Sequence, residues 1–284
     1  MQSEVFTASE KKAAKALTCL WETGSFVGKA HLLVTLKDSA GITFGKSQTT
    51  ENSGGLSELV FGFYVPMGGA LAEAFGPYKE QLYSRGGDKS KKSVMTSTGE
   101  SRDDFYYEGG LTNNQEFKDL LVKAAREDPI MSKAQDLYFE KFYFKPALWI
   151  CAEFGLTEAL SLAFVYDFCI HSGPGSRFND GAAFDRLSNW NDDYESPDVD
   201  DEKLVERAWT THMCKKRDAF LRSLRNGYTA YRTTSMLKIM SSVGDREWGL
   251  QTPLSFVFFR KEFTNYPDRN MTLTAQDLDK IYAS

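Results

Sequence analysis

No run of 18 uninterrupted apolar residues occurs in the 284-residue chain, so no segment is expected to span a membrane. The opening stretch, MQSEVFTASEKK, lacks the apolar core of a secretory signal, so no export leader is visible. Histidine is scarce: His31, His171 and His212 are all there are, and none belongs to an HExxH pattern. The four cysteines, Cys19, Cys151, Cys169 and Cys214, form no CxxC pair. A metal centre is therefore not expected, and no cofactor is implied. Cys19, Cys151 and Cys169 sit in apolar helical patterns and read as buried thiols, with one disulfide left open. Positive charge is also in deficit, 34 Lys and Arg against 39 Asp and Glu, a net charge of −5. That disfavours a nucleic-acid binder. An acidic groove suits a cationic polymer better than an anionic one.

Aromatic residues are plentiful, with 21 Phe, 13 Tyr and 5 Trp. Most are core material, Tyr143 and Trp149 among them, but Tyr and Trp also suit the flat faces of sugars. A capping box of Thr7 and Glu10 starts a first helix, Ala13, Leu17, Leu20 and Trp21 continue it, and Gly24 stops it. His31–Leu36, a turn over 37–41 and Ile42–Gly45 read as a small hairpin. Residues 48–55 read as a loop, and a helix begins at Leu56. Further helices are expected at about 113–126, 128–142, 157–171, 201–223 and 229–242. Two polar stretches, about 84–110 and 173–200, read as loop insertions. The type of the apolar run Leu254–Phe259 is left open. Together this predicts a single mainly α domain over residues 1–284, with two helical lobes flanking a cleft and a small β-hairpin.

Two carboxylates stand out in that layout. Glycoside hydrolysis needs one carboxyl group that is protonated and one that is ionised, on either side of the scissile bond. Glu22 lies in the last turn of the first helix, where the helix end is already partly negative and a raised pKa is favoured. Asp38 opens the hairpin turn. With 39 acidic residues, spacing alone yields many such pairs.

The residues around the pair single it out. WETGS, a β-like run, and then DSAGITFGKSQ resemble the glycoside hydrolase family 46 chitosanases of the lysozyme superfamily, in which a D-x-x-G-x-T-x-G hairpin follows a helix-end glutamate. Asp38, Gly41, Thr43 and Gly45 meet that pattern. DPIMSKAQDLYFEKFYFKPAL (128–148), YDFCIHSG (166–173), KKRDAF (215–220) and YRTTSML (231–237) extend the resemblance over roughly residues 10–255. It implies a lysozyme-like α+β fold and an inverting endo-hydrolase. Glu22 would be the acid and Asp38 the base, Thr43 would hold the attacking water, and Asp167, Arg217 and Arg232 would form a charged network positioning Glu22. The residues read the same way. An aspartate inside an apolar helix is costly to bury unless paired, and arginines supply the donors. Asp167 taken alone would more often be a helix-surface residue. Arginines by themselves would lower the pKa of Glu22, and burial would oppose them.

The chain departs from the family at NSGGLSELV, where Gly55 replaces an ammonium-recognising aspartate. Glu51 and Glu58 are the nearest compensating acids. A glycine there would leave room for an N-acetyl or lactyl-peptide substituent, which makes peptidoglycan the leading expected substrate and chitosan the second. Gly41, Gly45, Lys46, Gln48 and Gly55 are expected to line the substrate site. The expected partner is the polysaccharide, with no nucleic acid, no membrane insertion, and a cognate immunity protein if the chain is a toxin. Action at a cell wall, by secretion or delivery, would go with a peptidoglycan substrate. A non-catalytic glycan-binding protein on the same fold is the alternative from a different class.

Overall fold

The computed structural model describes residues 5–35, 41–84, 110–175, 183–224, 229–241, 244–259 and 267–282, with 89–95 and 101–107 described as backbone. Helix α1 (Ala8–Thr23) starts at the expected capping box: Glu10 N donates to Thr7 Oγ1 at 3.3 Å, and Thr7 N donates to the Glu10 carboxylate at 2.7 Å. It ends at Gly24, whose φ of 71° places it in the left-handed region where glycine carries no Cβ penalty. Strands β1 (Leu33–Thr35), β2 (Ile42–Phe44) and β3 (Thr49–Thr50) form an antiparallel sheet in that order. The expected hairpin therefore gains a third strand inside the stretch read as a loop. There the β-branched Thr49 and Thr50 pair with Phe44 and Thr43. Helix α2 (Gly55–Ser57) runs into a π-helical segment, Glu58–Tyr64. A 3₁₀ turn at Glu73–Tyr78 leads into α3 (Lys79–Tyr83).

The polar stretch expected as an irregular insertion is instead a β-ribbon. Strands β4 (Lys89–Met95) and β5 (Ser101–Tyr107) pair antiparallel, from Lys89 opposite Tyr107 to Met95 opposite Ser101. Its β-formers, such as Val94 and Phe105-Tyr106-Tyr107, are easily overlooked among so many polar neighbours. Next come α4 (Gln115–Glu127), capped by Asn114, and α5 (Pro129–Phe139), with proline at its first position. A π-helical segment, Glu140–Phe144, precedes α6 (Lys145–Glu153) and α7 (Ala159–Ser172). Helix α8 (Ala183–Asn191) occupies part of the second stretch read as a loop. It is amphipathic, with Ala183 and Leu187 buried one turn apart. Then follow α9 (Glu202–Ser223), α10 (Tyr231–Met240), α11 (Asp245–Trp248), β6 (Leu254–Phe258), β7 (Arg269–Leu273) and α12 (Ala275–Asp279). The apolar run at 254–258 is thus a strand, paired antiparallel with β7. The fold is mainly helical with small antiparallel sheets, a lysozyme-like α+β architecture.

Two compact units share these elements: one takes the chain up to Val27 and from Glu140 onward, the other Gly28–Phe139. In the first, α7 is buried at every position from Ala159 to Cys169. A helix apolar all round belongs at the centre of a core. The buried face of α1, including Ala13, Leu17 and Leu20, belongs to the same cluster. None of the four cysteines forms a disulfide; Cys214 is buried as Cys151 and Cys169 are, and Cys19 is half-buried. Tyr143 packs on the core as expected, but Trp149 does not, being 49% exposed.

In the second unit Ile42, Phe44, Leu59, Val60, Phe117 and Leu121 are fully buried. Among them lies the buried carboxylate of Glu51, which accepts from Leu111 N at 2.7 Å, Thr112 Oγ1 at 2.8 Å and Ile42 N at 3.1 Å. Glu51 ties the sheet to the segment before α4. Glu51→Ala would strip three donors of their acceptor, at about 1–3 kcal/mol for each one left buried and unsatisfied. Urea denaturation is expected to show a loss of at least about 3 kcal/mol.

Candidate active site

Helix α1 carries Glu22 on its last turn, with the side chain only 12% exposed. Glu22 Oε1 accepts from Arg232 Nη2 at 2.6 Å. The other terminal nitrogen of Arg232 donates to Asp167 Oδ1, also at 2.6 Å. Asp167 Oδ2 accepts from Arg217 Nη1 at 2.7 Å. Arg217 and Asp167 have no exposed side-chain surface, and their contact is reinforced by the ring of Phe168, 4.6 Å from the guanidinium carbon. The four residues expected to form a charged network are therefore joined in one line, Glu22–Arg232–Asp167–Arg217, contributed by α1, α10, α7 and α9. Asp167 is not the helix-surface residue that its isolated sequence context favours, because the helix that carries it has no solvent face at that point.

Electrostatics within the line are divided. Burial raises the Glu22 pKa above the ordinary glutamate value, Arg232 and Arg217 oppose it, Asp167 adds to it, and the net direction is up. Asp167 moves the other way: burial pushes it up, but Arg232 and Arg217 outweigh burial and hold it low. His171, one turn beyond Asp167 on α7, is driven down to about 3 by burial first and by the two arginines after it. It is neutral at physiological pH, so the two acids and two arginines set the charge of the network.

One member of the site had no signal in the sequence. Tyr231, buried beside Arg232, donates its hydroxyl to the Trp21 carbonyl at 2.7 Å. Adjacent residues of α10 thus grip adjacent residues of α1, one by the backbone and one by the carboxylate. The Trp21 carbonyl is among the last of α1, which lack partners within the helix.

The remaining expected residues belong to the second unit. Asp38 lies outside the described residues. Thr43, on β2, is buried, and its hydroxyl has no hydrogen-bond partner among the described residues. Gly41 and Gly45 have φ of +70° and +88°, and a Cβ on them would lie 2.8 Å from Glu51 Oε2 and 2.6 Å from Gln135 Oε1. Their glycine identity is thus a backbone requirement. Gln135 accepts from Lys46 N at 3.0 Å and donates to Ala30 O at 2.9 Å, a clamp that the sequence did not reveal. Lys46 puts its ammonium on Asp136, at 2.7 and 2.8 Å, so its charge is answered within the unit. Gln48 turns its amide onto the Gly45 carbonyl at 2.8 Å.

Gly55 corrects an expectation. A Cβ there would lie 2.8 Å from Tyr138 Oη and 2.9 Å from Thr49 Cγ2. The space beside this glycine is filled by the protein itself and does not make room for a sugar substituent. Glu51, bound by three donors, is not a spare acid to replace a missing aspartate.

The model of glycosyl hydrolase family 46 matches residues 108–254, just over half of the chain. The chain belongs to this family. It is a glycoside hydrolase. The matched range contains Asp167, Arg217 and Arg232, whereas Glu22 and the 41–55 segment precede it. Among solved structures, similarity is found to a Gynuella sunshinyii chitosanase in complex with chitotetraose. That match has 19% identity, 88% of this chain and 94% of that one covered, and a TM-score of 0.67. A mutant chitosanase from Bacillus subtilis MY002, complexed with 6 GlcN, is also 19% identical, with 94% and 99% covered and a TM-score of 0.70. The native form of that enzyme matches at 18%, with 95% and 100% covered and a TM-score of 0.70. At these identities the likeness concerns the fold. No curated protein matches the sequence.

Tyr231→Phe, which removes one hydroxyl and leaves the ring, is expected to cost about 1–2 kcal/mol in urea denaturation. Turnover should fall with it at unchanged KM, since the loosened helix end carries Glu22. Steady-state kinetics on the variant checks the second part.

Proposed function

We propose that the chain is an endo-acting chitosanase that inverts configuration at the cleaved β-1,4 bond. Glu22 gives its proton to the leaving oxygen, and Asp38 takes a proton from the attacking water. Thr43, with a hydroxyl no described residue engages, holds that water. The observation that carries the reading is the Glu22–Arg232–Asp167–Arg217 line. It fixes the glutamate in place and leaves its pKa raised, which is what a general acid requires.

Chitosan is favoured over peptidoglycan on three grounds. The family relatives with bound sugars carry chitotetraose and GlcN units. The chain is acidic overall, which suits a polymer of ammonium-bearing sugars. And the space beside Gly55 that an N-acetyl or lactyl-peptide substituent would need is occupied by Tyr138 and Thr49.

Purified protein is expected to release reducing ends from chitosan and to leave the turbidity of murein sacculi unchanged. Activity on murein alone would sink the substrate assignment. Glu22→Gln and Asp38→Asn should each lower turnover by about 10²–10⁴-fold while sparing the fold. The acid works only while protonated, so kcat should fall as pH rises through the raised Glu22 pKa, and Glu22→Gln should abolish that limb. NMR of early products should show the α-anomer first, as inversion of a β-linkage demands.

A further inference from the structure

Trp149 is the one tryptophan of the chain that is largely exposed, and its indole is held in place on one side only. Its ring centroid lies 4.9 Å from that of Phe184; Phe184 meets Phe154 at 6.0 Å, and Phe154 meets Trp209 at 5.0 Å. Trp209 in turn donates its indole N–H to Asn191 at 2.7 Å. Three rings in series thus brace a surface indole against movement. Such a rigid aromatic face loses little conformational freedom when a ligand covers it. One turn onward on the same face of α6 stands Glu153, exposed and without an ion pair or hydrogen bond among the described residues. One turn back stands Lys145, also exposed. The stripe Lys145–Trp149–Glu153 runs about 12 Å along the helix.

We infer that this stripe is a second binding surface for the glucosamine polymer, separate from the residues around Glu22. The indole would stack on the apolar C–H face of a pyranose ring. Glu153 would pair with the ammonium of a glucosamine unit, and Lys145 would donate to ring or hydroxymethyl oxygens. A carboxylate beside an aromatic face selects an amino sugar over an acetylated one, because the acetamide carries no charge. The surface would keep insoluble chitosan attached to the enzyme while bonds are cut elsewhere on the chain. The inference rests on the chitosan reading above.

Binding and turnover are measured separately in the full-length protein. In a Glu22→Gln background, which cleaves too slowly to erode the polymer, adding Trp149→Ala should weaken co-sedimentation with insoluble chitosan by about tenfold. Adding Trp149→Phe instead should restore part of it. Glu153→Gln should narrow the preference for chitosan over insoluble chitin. With Glu22 intact, Trp149→Ala should slow hydrolysis of insoluble chitosan yet leave kcat and KM on the soluble glucosamine hexamer unchanged. Hexamer cleavage together with unaltered chitosan binding would overturn the surface alone. Failure to cleave the hexamer would overturn the substrate assignment, and this inference with it.

Discussion

Four helices of the first unit meet at two carboxylates and two guanidiniums taken out of water. Moving such charges into a low-dielectric interior costs several kcal/mol each, and only close, geometrically sound pairing returns it. Here the pairs lie at 2.6–2.7 Å, and Asp167 accepts from both arginines at once. The members come from α1, α7, α9 and α10, so the full line forms only when all four helices take their places. Fold and candidate site are the same set of contacts. The two acids also set opposite limits in pH. Asp167 is held low, so its contribution is present above the ordinary aspartate pKa and is lost as pH falls through its folded value. Glu22 is held high, so its contribution is present below the ordinary glutamate pKa and is lost as pH rises through its folded value.

The second unit solves a different problem. Its short sheet pairs β2 with β1 on one side and β3 on the other. Glycines with positive φ flank β2, Gly41 before it and Gly45 after it, and buried Glu51 and Gln135 bind the backbone around them. Residues that look like substrate contacts in a motif, Gly41, Gly45, Lys46 and Gln48, are accounted for by the construction of this sheet. Thr43 is the exception, since it is buried with a hydroxyl that nothing described engages.

What could be read from the sequence follows the range of each signal. The capping box at Thr7 and Glu10 and the stop at Gly24 are local, and both stand where the residues place them. The buried network was legible through Asp167, a charge among Ala163, Phe164, Val165 and Ile170 that burial would force into pairing, and through the family resemblance that named its partners. Strands β3, β4 and β5 were missed because their β-forming residues are few and set among polar ones, while their pairing is a tertiary fact. Helix α8 was hidden by the Asn, Asp and Gly around it. Trp149 was misjudged because an aromatic at helical spacing says nothing about whether a neighbouring helix covers it. Gly55 was misread for a related reason: the absence of a side chain in sequence does not mean empty space, and Tyr138, more than 80 positions away, fills it.

A guanidinium 2.6 Å from the proposed general acid should, taken alone, spoil it, because a positive neighbour favours the ionised carboxylate. The second arginine nitrogen resolves the conflict. Arg232 also contacts Asp167 at 2.6 Å, and that fully buried carboxylate draws on the same positive charge. It also repels a charge on Glu22 directly. Arg232 therefore orients Glu22 strongly while acidifying it less than an isolated arginine would. Arg217, bound to the far oxygen of Asp167, lets that aspartate remain ionised in the core. The length of the chain of charges then has a reason. Arg232 alone would position the glutamate but favour its ionised form; Asp167 offsets that charge, and Arg217 keeps Asp167 ionised, so the carboxyl group is fixed in direction with its pKa still raised.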